Sequence, residues 1–150
     1  MVTLARKIIL DSTGLRVQLE MDFVRYYCEL AHMACYNTKK YFIPKHGGHI
    51  SIFTSNFPNQ KEVLNKYYYE LKEKYHGATA SFSFEPQNII QGGGSKGFTN
   101  FWIPVDLPVG KLVRDDLGLP ADGKNFHGYH ITLCHGYHIT LCSDKYFLKK

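Results

Sequence analysis

Near its C-terminus the chain reads His127-Gly128-Tyr129-His130-Ile131-Thr132-Leu133-Cys134, then repeats without change as His135-Gly136-Tyr137-His138-Ile139-Thr140-Leu141-Cys142. A tandem identity of eight residues is a local duplication. Apolar and polar residues alternate within each copy, and strand side chains change face at every residue. His130, Thr132 and Cys134 are therefore expected on one face, and Ile131 and Leu133 on the other, against the core. A shift of eight is even, so the duplication inverts neither face. The two copies can also be arranged as a hairpin turning at Cys134-His135-Gly136.

The same alternation occurs far upstream, at His49-Ile50-Ser51-Ile52-Phe53-Thr54 after Gly47-Gly48. His49 and Ser51 share one face there, and Ile50 and Ile52 the other. Working outward, Lys7 to Leu10 and Leu15 to Leu19 read as strands around the turn Asp11-Ser12-Thr13-Gly14. Leu15, Val17 and Leu19 point one way. Asp22 offers a cap for a helix from Phe23 to Tyr36, with Phe23, Tyr26, Tyr27, Leu30 and Met33 at helical spacing. Residues 39–45 read as a basic, aromatic connector. A second helix is expected from Gln60 to Tyr75 with Gly77 as its stop, and at least two rings of Tyr67-Tyr68-Tyr69 belong to the core. Thr79 to Glu85 and Gly97 to Asp106 are further strands, separated by a turn at Gly92-Gly93-Gly94. Val109 to Leu117 is a short helix. The fold class is α+β, with helices packed on mixed or antiparallel sheets.

The 150 residues point to one domain spanning 1–150. No apolar run approaches the ~20 residues of a membrane span, so no membrane partner is expected. The formal charge of +5 suits a phosphate-bearing ligand such as a nucleotide or RNA. Cys28, Cys35, Cys134 and Cys142 form no C-x-x-C pair, which reads as reduced thiols in a cytoplasmic protein.

Two His-x-Ser/Thr strands side by side would set two imidazoles and two hydroxyls in one groove. A neutral His can take a proton from an attacking hydroxyl while a protonated His gives one to the leaving oxygen. The hydroxyls can donate to the non-bridging oxygens of a phosphate as charge grows there. The candidate catalytic residues are His49, Ser51, His130 and Thr132, with His138 and Thr140 as the alternative second motif. The first copy is preferred because placing the surplus in the tail disturbs the fold least. A zinc site from these His and Cys residues is disfavoured. His130 and Cys134 on one strand face stand ~13 Å apart and cannot share an ion without a bend. Gly92-Gly93-Gly94-Ser95-Lys96 lacks the spacing of a nucleotide-binding phosphate loop.

The paired motifs resemble those of the two-histidine (2H) phosphoesterase superfamily. The wider chain is similar to one branch, the phage anti-CBASS cyclic-oligonucleotide phosphodiesterases. That likeness rests on Asp11-Ser12-Thr13-Gly14, Asp22-Phe23, Arg25-Tyr26-Tyr27, Pro44-Lys45-His46 before the first motif, Trp102, and Leu117-Gly118-Leu119-Pro120. It implies a two-lobed 2H fold with a central groove. It also implies a metal-independent hydrolase with no cofactor, working in the host cytoplasm. Such an enzyme opens 3′–5′ bonds of cyclic di- and trinucleotide defence signals, so its partner is a small cyclic oligonucleotide and no stable nucleic-acid duplex. His49 with Ser51 matches the first motif, and His130 with Thr132, or His138 with Thr140, the second. Trp102 matches a base-stacking aromatic, and Lys45 is the candidate phosphate-attracting cation. Ser51 stands where Thr is more usual, and the tandem repeat is not a family feature. The rival readings are an RNA-end 2′,3′-cyclic phosphodiesterase and a non-catalytic protein that binds cyclic nucleotides or RNA.

Overall fold

The structure is a computed structural model that describes residues 1–34, 38–42, 48–93, 98–120 and 128–138. Its elements are β1 (Val2–Asp11), β2 (Gly14–Gln18), α1 (Met21–Ala34), β3 (Thr38–Phe42), β4 (His49–Thr54), α2 (Pro58–Tyr75), β5 (Thr79–Phe84), β6 (Ile90–Gly93), β7 (Phe98–Pro104), α3 (Pro108–Asp116) and β8 (His130–His138). The class is α+β, and every strand pairing among the described residues is antiparallel. The strands follow the order β5-β1-β2-β4-β8-β7-β6, with β3 also paired to β8.

β8 is the hub. Along one edge it pairs with β7. Along the other it meets β4 at its beginning, where Ile131 stands opposite Ile50, and β3 at its end, where His138 stands opposite Thr38. It runs without a break from His130 to His138, so the two copies do not fold back as a hairpin at Cys134-His135-Gly136. A strand already paired on both edges along this stretch gains more from continuing than from turning.

The expected apolar faces hold. Leu15, Val17, Leu19, Ile50, Ile52, Ile131 and Leu133 are all buried. They form one cluster with Phe82, Phe84, Phe101 and Ile103, and with Leu64, Leu71 and Val113 from the helices. α2 lies against β1 and β4, α3 against β4 and β5, and α1 against β8. Tyr67 and Tyr68 pack partly against this core while Tyr69 is exposed. Gly77 has a positive φ of 86° just after α2, as a helix stop requires.

Two strands go beyond the sequence expectation. β3 lies in the stretch read as a connector, and β6 overlaps the stretch read as a turn. Both are short, and β6 ends in two glycines. β6 has little strand propensity of its own, β3 joins the strand formers Thr38, Tyr41 and Phe42 to two lysines without alternation, and pairing with β8 and β7 supplies the hydrogen bonds that hold them. β1 is also longer than expected, because its first half pairs with β5 and its second with β2.

Two bulges shape the centre of the sheet. Between β2 and β4 the register passes from Leu15–Phe53 to Arg16–Ser51, which leaves Ile52 as the extra residue. Ile52 and Phe53 consequently both reach the core. The fully buried Arg114 of α3 donates from Nη1 to the Ile52 carbonyl at 2.7 Å and from Nε to the Pro120 carbonyl. Between β7 and β8 the register passes from Phe101–Cys134 to Trp102–Thr132, which leaves Leu133 as the extra residue.

Gly14 has φ +137°, and a Cβ there would lie 2.2 Å from the Phe53 carbonyl oxygen. Only glycine lets β2 approach β4 so closely. Gly14→Ala is expected to lower stability by about 2–4 kcal/mol, through strain and clash together. Urea unfolding of the variant beside wild type measures it, and an unchanged midpoint would contradict this account of the β2–β4 contact.

Candidate active site

The Ile50–Ile131 pairing sets the geometry. Both isoleucines point into the core. Their neighbours along each strand must then point away from it. In an antiparallel pair His49 falls beside Thr132, and Ser51 beside His130. All four are half-buried. Directly opposed residues have Cβ atoms about 4.5–5.5 Å apart, and diagonal ones about 7–8 Å. His49 and His130 are on a diagonal, within reach of each other's side chains.

The same face continues across the sheet. On β2, Arg16 pairs with Ser51 and Gln18 with His49. On β7, Trp102 pairs with Thr132 and Pro104 with His130. One row therefore runs Arg16, Ser51, His130, Pro104. The next runs Gln18, His49, Thr132, Trp102, and ends at Ile90 on β6.

Each histidine follows an anchored residue. The Gly48 carbonyl accepts from the Leu19 backbone N–H at 2.9 Å and from the Gln18 amide at 3.1 Å. A Cβ at Gly48 would lie 2.1 Å from a methyl of Val24 in α1, so the glycine is what lets β4 start there. The Tyr129 carbonyl accepts from the Val105 N–H at 2.9 Å, and its buried ring packs against Gly110.

His130 Nδ1 lies 2.7 Å from the Gly128 carbonyl oxygen. A carbonyl only accepts, so Nδ1 carries the proton, and in the neutral ring Nε2 carries the lone pair. The Trp102 ring centroid is 6.4 Å from that of His130, at an interplanar angle of 62°. The far edge of the indole sits over Gly92, where a Cβ would be 2.3 Å from it.

On the β2 side, a cleft of about 310 Å³ opens beside the first motif, lined by His49, Ser51, Arg16, Asp11, Thr13 and Asn56 among others. Arg16 is held in it. Its Nη1 donates to Asp11 at 2.9 Å and its Nε to Gln18 at 3.0 Å. Partial burial pushes the Asp11 carboxyl up. The hydroxyl and backbone N–H of Thr13, together with Arg16, outweigh that and leave it below its ordinary value.

The structure thus brings together His49, Ser51, His130 and Thr132, with Trp102 at the edge. His138 stands at the far end of β8, eight residues or ~26 Å from His130. Its position opposite Thr38 puts it beside β3 and not beside β4. Thr140 and Lys45 lie outside the described residues. Arg16 and Gln18 were not among the expected site residues. The alternation of Leu15, Val17 and Leu19 already assigned them to the polar face, and only the β2–β4 pairing brings that face to the histidines. Among the described residues, no three His, Cys, Asp or Glu side chains are grouped to hold a metal ion. No helix among them is long and apolar enough to cross a membrane. In comparisons with known proteins, no family model, no curated protein and no solved structure matches the chain.

Two outcomes follow from this geometry. Gly92→Val must push the indole off its seat, so the emission of Trp102, the chain's one tryptophan, should shift to the red while far-UV circular dichroism stays unchanged. Unshifted emission would contradict the Gly92–Trp102 packing. Asp11, with its lowered pKa, stabilises the fold above the ordinary carboxylate range, and that contribution disappears as pH falls through its folded pKa. Its side chain is 44% exposed, so the effect is small. Asp11→Asn should be slightly less stable than wild type at pH 7, and the gap should close in acid, below the ordinary carboxylate range. A gap that persists in acid would refute the assignment.

Proposed function

We propose that the chain is a metal-independent phosphodiesterase of the 2H type that opens 3′–5′ bonds in cyclic di- and trinucleotide defence signals. The observation that carries this reading is the β4–β8 pairing at Ile50 and Ile131, which aligns two separate His-x-Ser/Thr motifs on one face. The basic charge of the chain, the sequence likeness to the anti-CBASS branch and the indole beside His130 support the nucleotide as substrate.

The chemistry assigned to this face is an in-line displacement at phosphorus. One imidazole, neutral, accepts the proton of a ribose 2′-hydroxyl as that oxygen attacks. The other, protonated, donates to the departing 5′-oxygen, and the P–O5′ bond breaks. The first product is a linear oligonucleotide ending in a 2′,3′-cyclic phosphate. Ser51 and Thr132 donate to the non-bridging oxygens, where charge increases in the transition state. The Gly128 carbonyl holds the His130 ring so that Nε2 is the nitrogen that exchanges the proton. In this reading His130 and Thr132 form the second motif, because the first copy is the one beside β4.

The test is product analysis over a panel of cyclic di- and trinucleotides, with cyclic-phosphate-ended RNA alongside, in EDTA. His49→Ala and His130→Ala are each expected to lower kcat by about 10²-fold or more. His138→Ala is expected to stay within about threefold of wild type, because its strand position is remote from His49. Activity lost in EDTA would defeat the metal-independent mechanism. Preference for the RNA end would move the substrate assignment to RNA repair chemistry. Binding without turnover, unaffected by His49→Ala, would make the protein a nucleotide sponge.

A further inference from the structure

The cleft on the β2 side of the two motifs is not used by the chemistry above. It adjoins the reacting face directly, since it shares His49 and Ser51 with it. Its volume of about 310 Å³ is at the lower end for small-molecule sites, enough for a nucleoside. Its distinctive group is Arg16, one strand over from Ser51 in the same row. Three side chains, Asp11, Thr13 and Gln18, orient the guanidinium before any ligand arrives.

Charge decides what such a cleft takes. Asp11 is kept ionised by Thr13 and Arg16, so the Arg16–Asp11 pair is neutral as a unit. A second phosphate brought here would gain from the guanidinium and lose to the carboxylate at similar range. An uncharged group rich in acceptors would keep the gain without the loss. The Nη2 group of Arg16, which takes no part in these bonds, can donate two N–H bonds to acceptors on a base or a sugar. Thr13, Thr54, Ser55 and Asn56 on the cleft wall add neutral polar groups.

Resting on the phosphodiesterase reading, we infer that the Asp11–Arg16 cleft is the subsite for the nucleoside on one side of the scissile phosphate, with Trp102 flanking the other side. The ligand then lies across the strands, from β7 over β8 and β4 to β2. Binding energy from the cleft nucleoside positions the phosphate between the two rings.

Trp102, beside His130, reports binding without turnover. The probes are 2′-deoxyadenylyl-(3′–5′)-2′-deoxyadenosine and its guanine counterpart, which lack the attacking hydroxyl. With them go the 3′-methyl-phosphate and the 5′-methyl-phosphate of each deoxynucleoside, which keep one nucleoside and one phosphodiester. Titrations compare wild type with Arg16→Gln, and with Arg16→Lys, which keeps the charge and loses the oriented Nη2 donors. Both variants are expected to weaken the dinucleotide and one of the two methyl esters about tenfold, as loss of a charged hydrogen bond does. The other methyl ester should stay within about twofold.

Equal weakening of all three ligands would overturn the subsite and assign Arg16 to the reacting phosphate. Unchanged affinities would overturn it as well. Tighter binding of a dinucleotide bearing an added terminal phosphate, lost in Arg16→Gln, would assign the cleft to a second phosphate. If no phosphodiester perturbs Trp102 even in wild type, the phosphodiesterase reading itself falls, and the subsite with it. If Arg16→Gln does not fold, Arg16→Lys carries the same comparison.

Discussion

Ile50 on β4 and Ile131 on β8 face each other with no exposed surface on either side chain. Burying each is worth roughly 1.5–3 kcal/mol relative to exposure. A slip of one residue on either strand would exchange that burial for a histidine and a hydroxyl turned into an apolar core. The penalty for such unpaired polar groups is of the order of 1–3 kcal/mol each. The hydrophobic core therefore enforces the register, and the register puts His49, Ser51, His130 and Thr132 on one face. The stability of the sheet and the alignment of the candidate catalytic groups have a single cause.

The two motifs also share their surroundings. Each histidine follows a residue whose carbonyl is tied into a neighbouring segment, Gly48 to the end of β2 and Tyr129 to Val105. Each Ser or Thr precedes a bulged apolar residue, Ile52 on β4 and Leu133 on β8. Bulges at such points bend the strand and re-aim its side chains. At Ile52 the buried Arg114 supplies a donor to the carbonyl beside the irregularity, which ties α3 to the back of the site. Removing that donor would leave a buried carbonyl unsatisfied within two residues of Ser51.

Across the face, the flanks of the two rings differ in kind. Toward β7 stands a half-buried indole whose seat depends on the absent side chain of Gly92. Toward β2 stands a guanidinium already paired with a carboxylate. An aromatic plane tolerates any base, whereas a guanidinium fixed in orientation discriminates. A ligand lying over both flanks would be held loosely at one end and selectively at the other.

Much of this was legible in the sequence because strand periodicity is local. Alternation at Leu15 to Leu19, His49 to Ile52 and His130 to Leu133 assigned these side chains to the core or to the other face before any pairing was known, whereas the bulge that sends Phe53 to the core left no trace in it. The motifs stood out because the same residue types recurred in the same alternation. The edge strands β3 and β6 were not legible, since β6 is half glycine and β3, with adjacent lysines and adjacent aromatics, shows no alternation. Strand adjacency was not legible either, because it joins residues about 80 positions apart and leaves no periodic trace. Only the tertiary structure put the first copy of the repeat beside β4 and His138 of the second at the end of β8. It likewise brought Arg16, known beforehand only as a polar-face residue, into the same row as Ser51 and His130. Local alternation determined which way the side chains of the two motifs point, and the packing of one shared core decided which of them meet.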